Sequence, residues 1–356
     1  MLQRSWKISQ GKDRVLTGKN EISKVAVIGG GSWGTTLANL LCGKAKEVDL
    51  WVREPDVLEQ IRSERTNHVF LPGVELDARL RPVGTFEEAL SGKDLVLMVV
   101  PSHVFREVLG RLKEHFQPHM CLMAATKGIE NDTLMMMSQV AEDVLPGINT
   151  GRVACLAGPS FAREVSRKFP TAVTIACRDD TYAKSLQRLF YTEYFRVYIT
   201  HDLVGTQLGG ALKNVIAIAA GASDALNFGH NARAALITRG LAEITRLAVA
   251  MGANPLTLAG LAGMGDLVLT CTGDLSRNRT VGIKIGKGMS LEEITGSMKM
   301  VAEGIKTTRS AYELARRVGV DMPITAEVYK ILYEGKSPKK AVKTLMTREL
   351  KAELEH

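Results

Sequence analysis

The sequence predicts an N-terminal doubly wound, mostly parallel α/β sheet followed by an all-helical C-terminal domain. Three observations carry this prediction. Between Lys24 and Thr200, short β-branched and apolar runs alternate with helical stretches. The runs are nearly continuous in apolar character, as strands covered on both faces are. Past about residue 201 the strand signal stops and only helical patterns remain. The predicted division is 1–23 as an N-terminal extension, 24–201 as the sheet domain and 202–356 as the helical domain.

The runs, in order, are KVAVIG (24–29), EVDLWV (47–52), DLVLMVV (94–100), MCLMAA (120–125), RVACLA (152–157), TAVTIAC (171–177) and FRVYIT (195–200). Helical stretches lie between most of them, for example 34–44, 55–64, 102–115 and 133–144. Buried strands alternating with helices call for parallel pairing through crossovers. The second half reads as helix over 202–222, 231–252, 256–263, 290–298, 303–318, 325–333 and 338–354.

Length and composition set the outer limits. A chain of 356 residues suits two domains. Its 45% apolar and 24% charged residues are ordinary for a globular protein, which excludes disorder, collagen and coiled coil as global descriptions. No run approaches the roughly 20 apolar residues that a membrane span needs, and the most apolar helical segment contains Lys213. The net charge is +8, but six basic residues face two acidic ones within 1–24. The remainder is nearly balanced, so no nucleic-acid face is required. Segment 1–22 lacks the hydrophobic centre of a signal peptide. Five cysteines (Cys42, Cys121, Cys155, Cys177, Cys271) form no CxxC pair, so reduced, mostly buried thiols and a cytosolic compartment are expected, with no metal site.

The first strand-to-helix turn carries a phosphate-binding pattern. In KVAVIGGGSWGTTLANLL, Gly29, Gly31 and Gly34 make G-x-G-x-x-G. The first glycine permits the tight turn, the second admits a pyrophosphate to the backbone, and the third lets helix and strand pack closely. The helix start then offers free N–H groups and a favourable dipole to the anion. Ser32 and Trp33 occupy the variable positions, within reach of a bound dinucleotide. Proteins selective for NAD usually carry an acid at the tip of the second strand, to bond the ribose 2′-hydroxyl. Here that strand ends in Arg53, Asp49 falls too early, and Glu54 follows. A guanidinium at the tip suits a 2′-phosphate, which favours NADP or tolerance of both NAD and NADP. The alternative is a solvated arginine at a strand end.

Three further loops converge on the same edge of the predicted sheet. They are Pro101–Ser102, Lys127–Gly128 and Gly158-Pro159-Ser160, each just past a strand. Lys213 lies in the mostly apolar helix GTQLGGALKNVIAIAAG, with Gly209 and Gly210 one turn before it on the neighbouring face. Mid-helix glycines cost up to about 1 kcal/mol each, so their presence implies a close approach. A desolvated lysine shifts its pKa down toward a value useful for proton transfer; otherwise it snorkels to solvent. In GMGDLVLTCTGDLSRNRTVG, Asp266 and Thr270 share a helical face. Ser276, Arg277, Asn278 and Arg279 form a donor-rich loop suited to a phosphate dianion, or else a solvated basic loop.

These residues together resemble the bacterial-type NAD(P)-dependent glycerol-3-phosphate dehydrogenases. The resemblance spans about residues 24–345 and rests on GGGSWGTTLA, VPSHVF, ATKGIE, AGPSFAREV, GALKNVIAIAAG, AGMGDLVLTCTGDLSRNRTVG and VAEGIKTT, in the family's order and spacing. It implies a Rossmann domain followed by a helical domain. It also implies reversible reduction of dihydroxyacetone phosphate to sn-glycerol 3-phosphate, a phospholipid precursor, in a cytoplasmic homodimer. By resemblance, Ser32, Trp33 and Arg53 contact the cofactor, and Lys127 sits between cofactor and substrate. Gly158 and Ser160 line the substrate, with Ala162 near the cofactor. Lys213 is the acid–base residue. Asp266, Ser276, Arg277 and Asn278 complete the substrate site, while Arg277, Val301 and Glu303 close over the cofactor. Two rivals are a sister dehydrogenase acting on a β-hydroxy acid or sugar acid, and an NAD(P)-sensing protein without chemistry. A pure sensor has no need of Lys127, Lys213 and Asp266 together.

Overall fold

The computed structural model describes residues 22–298, 302–350 and 352–353. Eight strands form one sheet: β1 (Lys24–Ile28), β2 (Glu47–Trp51), β3 (Leu80–Val83), β4 (Leu95–Met98), β5 (Cys121–Ala124), β6 (Val153–Ala157), β7 (Thr171–Cys177) and β8 (Phe195–Thr200). Their order is β3-β2-β1-β4-β5-β6-β7-β8, and every pair is parallel except β6 with β7. The helices threaded between them are α1 (Ser32–Leu41), α2 (Pro55–Glu64), α3 (Phe86–Leu90), α4 (Phe105–Leu112), α5 (Met137–Val144), α6 (Ala162–Ser166) and α7 (Asp180–Phe190).

The strand period of two explains why both faces are covered. Val25 and Val27 of β1 join a core with Leu37, Leu41 and Phe190, whereas Ala26 and Ile28 face Phe86, Phe105 and Met137 on the other side. Each core is built of buried apolar side chains, so near-continuous apolar runs are what the strands require. β3 escaped the sequence reading for a physical reason. Its sequence LRPV holds a proline and an exposed arginine, and a strand tolerates both at a sheet edge.

From Leu203 the described residues are helical: α8 (Leu203–Ala225), α9 (Gly229–Ala250), α10 (Pro255–Ala259), a π-helical turn (Leu261–Gly265), α11 (Asp266–Thr272), α12 (Arg277–Gly286), α13 (Leu291–Gly296), α14 (Glu303–Val318), α15 (Pro323–Tyr333) and α16 (Pro338–Met346). α8 is the axis of this half, with Leu208, Leu212, Val215 and Ile216 buried among the others.

Five sequence expectations need correction. The stretch 133–144 becomes helical only at Met137, because Leu134 takes φ +60° in a turn. The stretch 256–263 breaks at Gly260 into the π-helical turn. The stretch 338–354 ends as helix at Met346. The donor-rich segment at 276–279 is a helix start rather than a loop, with Ser276 as N-cap and Arg277 as first residue. α8 is, by length and by its mean hydropathy of 1.3, apolar enough to cross a membrane, contrary to the sequence reading; 89% of that window is buried within the fold.

Candidate active site

Parallel pairing puts the ends of β1, β2, β4, β5 and β6 along one edge. Ligands of open α/β sheets bind outside such ends. Gly29 has φ +124°, and a Cβ there would lie 3.0 Å from the Val99 carbonyl oxygen. A Cβ on Gly34 would lie 1.9 Å from the Gly29 carbonyl oxygen, so α1 docks on the turn only with glycine at that position. Gly31 is different: nothing described lies within 4 Å of its missing Cβ. It caps α1 without a side-chain acceptor, and the buried Trp33 indole N–H has no partner among the described residues. Open space, uncapped helix amides and an orphaned donor fit a dinucleotide pyrophosphate.

Asn67 supports this turn, and nothing in the local sequence pattern singles it out. Fully buried, it donates from Nδ2 to the Gly30 carbonyl and to Thr35 Oγ1, both at 2.9 Å. Ser32 opens α1, and its carbonyl accepts from Thr36 Oγ1, which also reaches the Ala162 carbonyl at 3.3 Å. Ala162 is thereby held against the cofactor turn. Arg53 stands at the rim, 73% exposed, with its guanidinium 2.6 Å from Glu54 Oε1.

Asp266 joins the lysines. Burial alone would raise its carboxyl, but the charges of Lys127 and Lys213 outweigh that and hold it below the usual carboxylate range. Oδ2 accepts from Lys127 Nζ at 2.6 Å, and Oδ1 pairs with Lys213 Nζ. Lys213 also donates to Thr270 Oγ1 at 2.8 Å, one turn along α11. Only 7% exposed, Lys213 does not snorkel. Burial pushes its ammonium down to about 8, against the opposing pull of Asp266 and with a further push from Lys127. Close approach explains one of the two glycines before it. A Cβ on Gly209 would lie 2.5 Å from the Ala262 carbonyl oxygen, whereas one on Gly210 would make ordinary contact, 3.4 Å from Ala157 Cβ and 3.7 Å from Lys127 Cγ.

Gly158, at φ +132°, leaves no room for a Cβ beside Val173 Cα, 2.9 Å away. Its carbonyl accepts from Lys127 Nζ at 3.2 Å and from Ser160 Oγ at 2.9 Å. On α12, Ser276 Oγ caps the Arg279 N–H at 3.2 Å. Asn278 spends its amide on Asn214 Oδ1 (2.8 Å) and on the Gly304 N–H (2.9 Å). Arg277 remains solvent-exposed at the helix start. Glu303 accepts from the Ser102 hydroxyl at 2.6 Å and from the Ser102 N–H at 3.2 Å, tying α14 to the turn after β4. Gly128 fits between them, since a Cβ would lie 2.5 Å from Ser102 Oγ. Val301 lies outside the described residues. The geometry thus brings together Lys127, Gly158, Lys213 and Asp266, places α12 beside them through Asn214, and leaves Arg53 at a separate rim. No cluster of three or more metal-ligating side chains occurs among the described residues.

Family models describe the same two halves. The NAD-dependent glycerol-3-phosphate dehydrogenase N-terminus matches residues 24–183, and the C-terminus of that family matches 202–343. A protein of Geobacter metallireducens named glycerol-3-phosphate dehydrogenase [NAD(P)+] is 59% identical over 330 residues, covering 93% of this chain and 98% of the relative. One of Myxococcus xanthus with the same name is 54% identical over 329 residues, covering 92% and 98%. The crystal structure of glycerol-3-phosphate dehydrogenase from Coxiella burnetii superposes with a TM-score of 0.87 at 38% identity, covering 93% of this chain and all of that one.

Proposed function

The chain belongs to the NAD-dependent glycerol-3-phosphate dehydrogenase family, and on that premise we propose that it reduces dihydroxyacetone phosphate reversibly to sn-glycerol 3-phosphate with NADPH or NADH. The observation that carries this reading is one buried carboxylate, Asp266, gripping two lysines at the strand edge that also bears the glycine-rich turn.

Gly29, Gly31, Ser32, Trp33 and Gly34 hold the pyrophosphate side of the dinucleotide, with Ala162, Arg277 and Glu303 beside it and Arg53 toward the 2′-phosphate. The hydride is the chemistry that the dinucleotide supplies when bound. Lys213 Nζ gives its proton to the C2 oxygen as negative charge grows there, and takes it back in the reverse direction. Lys127 adds a fixed positive charge at the same oxygen. Asp266 holds both ammonium groups in place, so neither swings to solvent between turnovers. Gly158 and Ser160 line the carbon skeleton. Arg277 and the free amides at the start of α12, those of Arg277 and Asn278, take the phosphate, a remote group whose binding orients the reacting carbon, while the Ser276 and Asn278 side chains hold that helix start in place. Supply of glycerol 3-phosphate serves phospholipid synthesis in the cytoplasm, where five free, buried thiols stay reduced. The working unit is a homodimer.

Absorbance decay of NADPH and NADH tests the reaction, with dihydroxyacetone phosphate as substrate and unphosphorylated dihydroxyacetone as control. Rapid oxidation with the phosphate ester alone is expected. Cofactor binding without oxidation of either substrate would return the chain to sister dehydrogenases of other acids, or to sensing. In the same assay Arg53→Asp weakens NADPH far more than NADH, because a carboxylate repels the 2′-phosphate that the guanidinium attracts. Equal loss for both cofactors removes that role from Arg53.

A further inference from the structure

We propose that Asp224, on the last turn of α8, is a positioning residue for the substrate phosphate: by holding Arg279 it fixes the placement of α12 against the helix that carries Lys213. The proposal rests on the reading that the start of α12 grips the phosphate.

α8 and α12 touch backbone to backbone. A Cβ on Gly282 would lie 2.0 Å from the Ile218 carbonyl oxygen, and one on Gly221 would lie 2.0 Å from the Arg279 carbonyl oxygen. Gly286 lies against Ala222 and Ala225 four residues further along both helices, so the two run in the same direction. Glycine contacts permit closeness but offer little resistance to sliding, because they lack interlocking side chains. Directional bonds must fix the relative placement, and two sets do so. Asn278 Nδ2 donates to Asn214 Oδ1 beside Lys213. Arg279 Nε donates to Asp224 Oδ2 at 2.8 Å.

The second set is built for rigidity. Asp224 Oδ1 accepts from Arg233 Nε of α9 at 2.7 Å, so both carboxylate oxygens are engaged by different helices. Arg279 Nη1 also reaches Asp274 Oδ1 at 2.9 Å, just before the N-cap of α12. Arg279 and Asp224 side chains are 14% and 10% exposed. Arg279 follows Arg277 and Asn278 directly, and its N–H bonds the Ser276 cap. Its guanidinium points to Asp224 and Asp274, so it shapes the phosphate end of α12 through its backbone rather than through its charge.

Charge and position make opposite predictions for Asp224→Asn. Removing a negative charge near an anion site favours phosphate on electrostatic grounds. Loosening α12 disfavours it, because misplacing a remote binding group by about 1 Å costs one to two orders of magnitude. We expect the KM for dihydroxyacetone phosphate in Asp224→Asn to rise about tenfold. The pH profile of turnover stays as in the parent, and the NADPH dissociation constant, read by tryptophan fluorescence, moves less than the KM, because α12 lends the cofactor Arg277 alone. Arg279→Gln shifts KM the same way, and Arg279→Lys recovers part of the loss. A KM that falls or holds in Asp224→Asn overturns the proposal. If that variant does not fold, Arg279→Lys decides: it keeps the charge but cannot fork to both aspartates, and an unchanged KM overturns the proposal. Arg277→Ala separates the premises, since an unchanged KM there removes the phosphate from α12 altogether. A raised KM there beside an unaffected Asp224→Asn sinks only the role of Asp224.

Discussion

Lys213→Ala lowers turnover by roughly 10²–10⁴-fold while the NADPH dissociation constant stays within a small factor of the parent value. The size follows from what is removed. A positioned proton donor contributes on that scale. Thr270, a neutral hydroxyl already bonded to the Asp266 carbonyl at 2.6 Å, does not replace it, and Lys127, held by the other Asp266 oxygen, retains only its electrostatic part. Cofactor binding is spared because the glycine-rich turn and α8 meet the site from different domains. Stopped-flow or steady-state absorbance measures the first quantity and fluorescence titration the second. Turnover within tenfold of the parent would show that Lys213 is not the acid.

The same residue sets the sign of the pH dependence. Its ammonium, pushed down to about 8 by burial, is fully protonated well below that value. Ketone reduction consumes a proton from Nζ, so its rate is at its plateau at lower pH and falls as pH rises through about 8. Alcohol oxidation requires the free amine and rises across the same interval. The two limbs cross near one pKa because one group serves both directions, and Lys213→Ala flattens both.

Much of this arrangement is legible in the sequence. The glycine-rich turn announces itself by spacing, since each glycine answers a separate geometric need. The buried strands show as apolar runs because both faces are covered. Lys213 stood out because a charge is costly inside an apolar helix. The rest was hidden for equally physical reasons. Asp266 is 139 residues from Lys127 and 53 from Lys213, so only tertiary structure shows that one carboxylate binds both. Ser276 and Asn278 look like free donors in sequence, yet a helix start consumes their side chains in capping and cross-linking. Asn67 lies in an irregular polar segment and acts through Gly30, which leaves no periodic trace. Val301 and Glu303 carried no signal apart from the family resemblance.

Asp49 shows how a residue rejected as a cofactor ligand acquires another task, and it leads to the largest expected effect on stability. It lies wholly buried in β2, with Oδ2 2.8 Å from the Nζ of Lys93, also wholly buried. Arg81 of the edge strand β3 reaches the same carboxylate from the surface, and Glu47 pairs with Lys93. Lys93→Met removes the buried cation of this cluster and leaves Asp49 leaning on a half-exposed guanidinium. Stripping one partner from a buried ion pair costs about 3–5 kcal/mol, because the remaining charge cannot regain water. A urea titration followed by circular dichroism should show that loss as an early transition, with NADPH binding at zero urea unchanged. Lys93→Met combined with Asp49→Leu leaves no stranded charge and should recover most of the stability, since apolar replacement of a whole buried pair is often neutral or better. The cycle of parent, two singles and double then isolates the coupling between the two groups. A double variant as unstable as either single would locate the cost in lost packing around the Lys93 stem rather than in the charge.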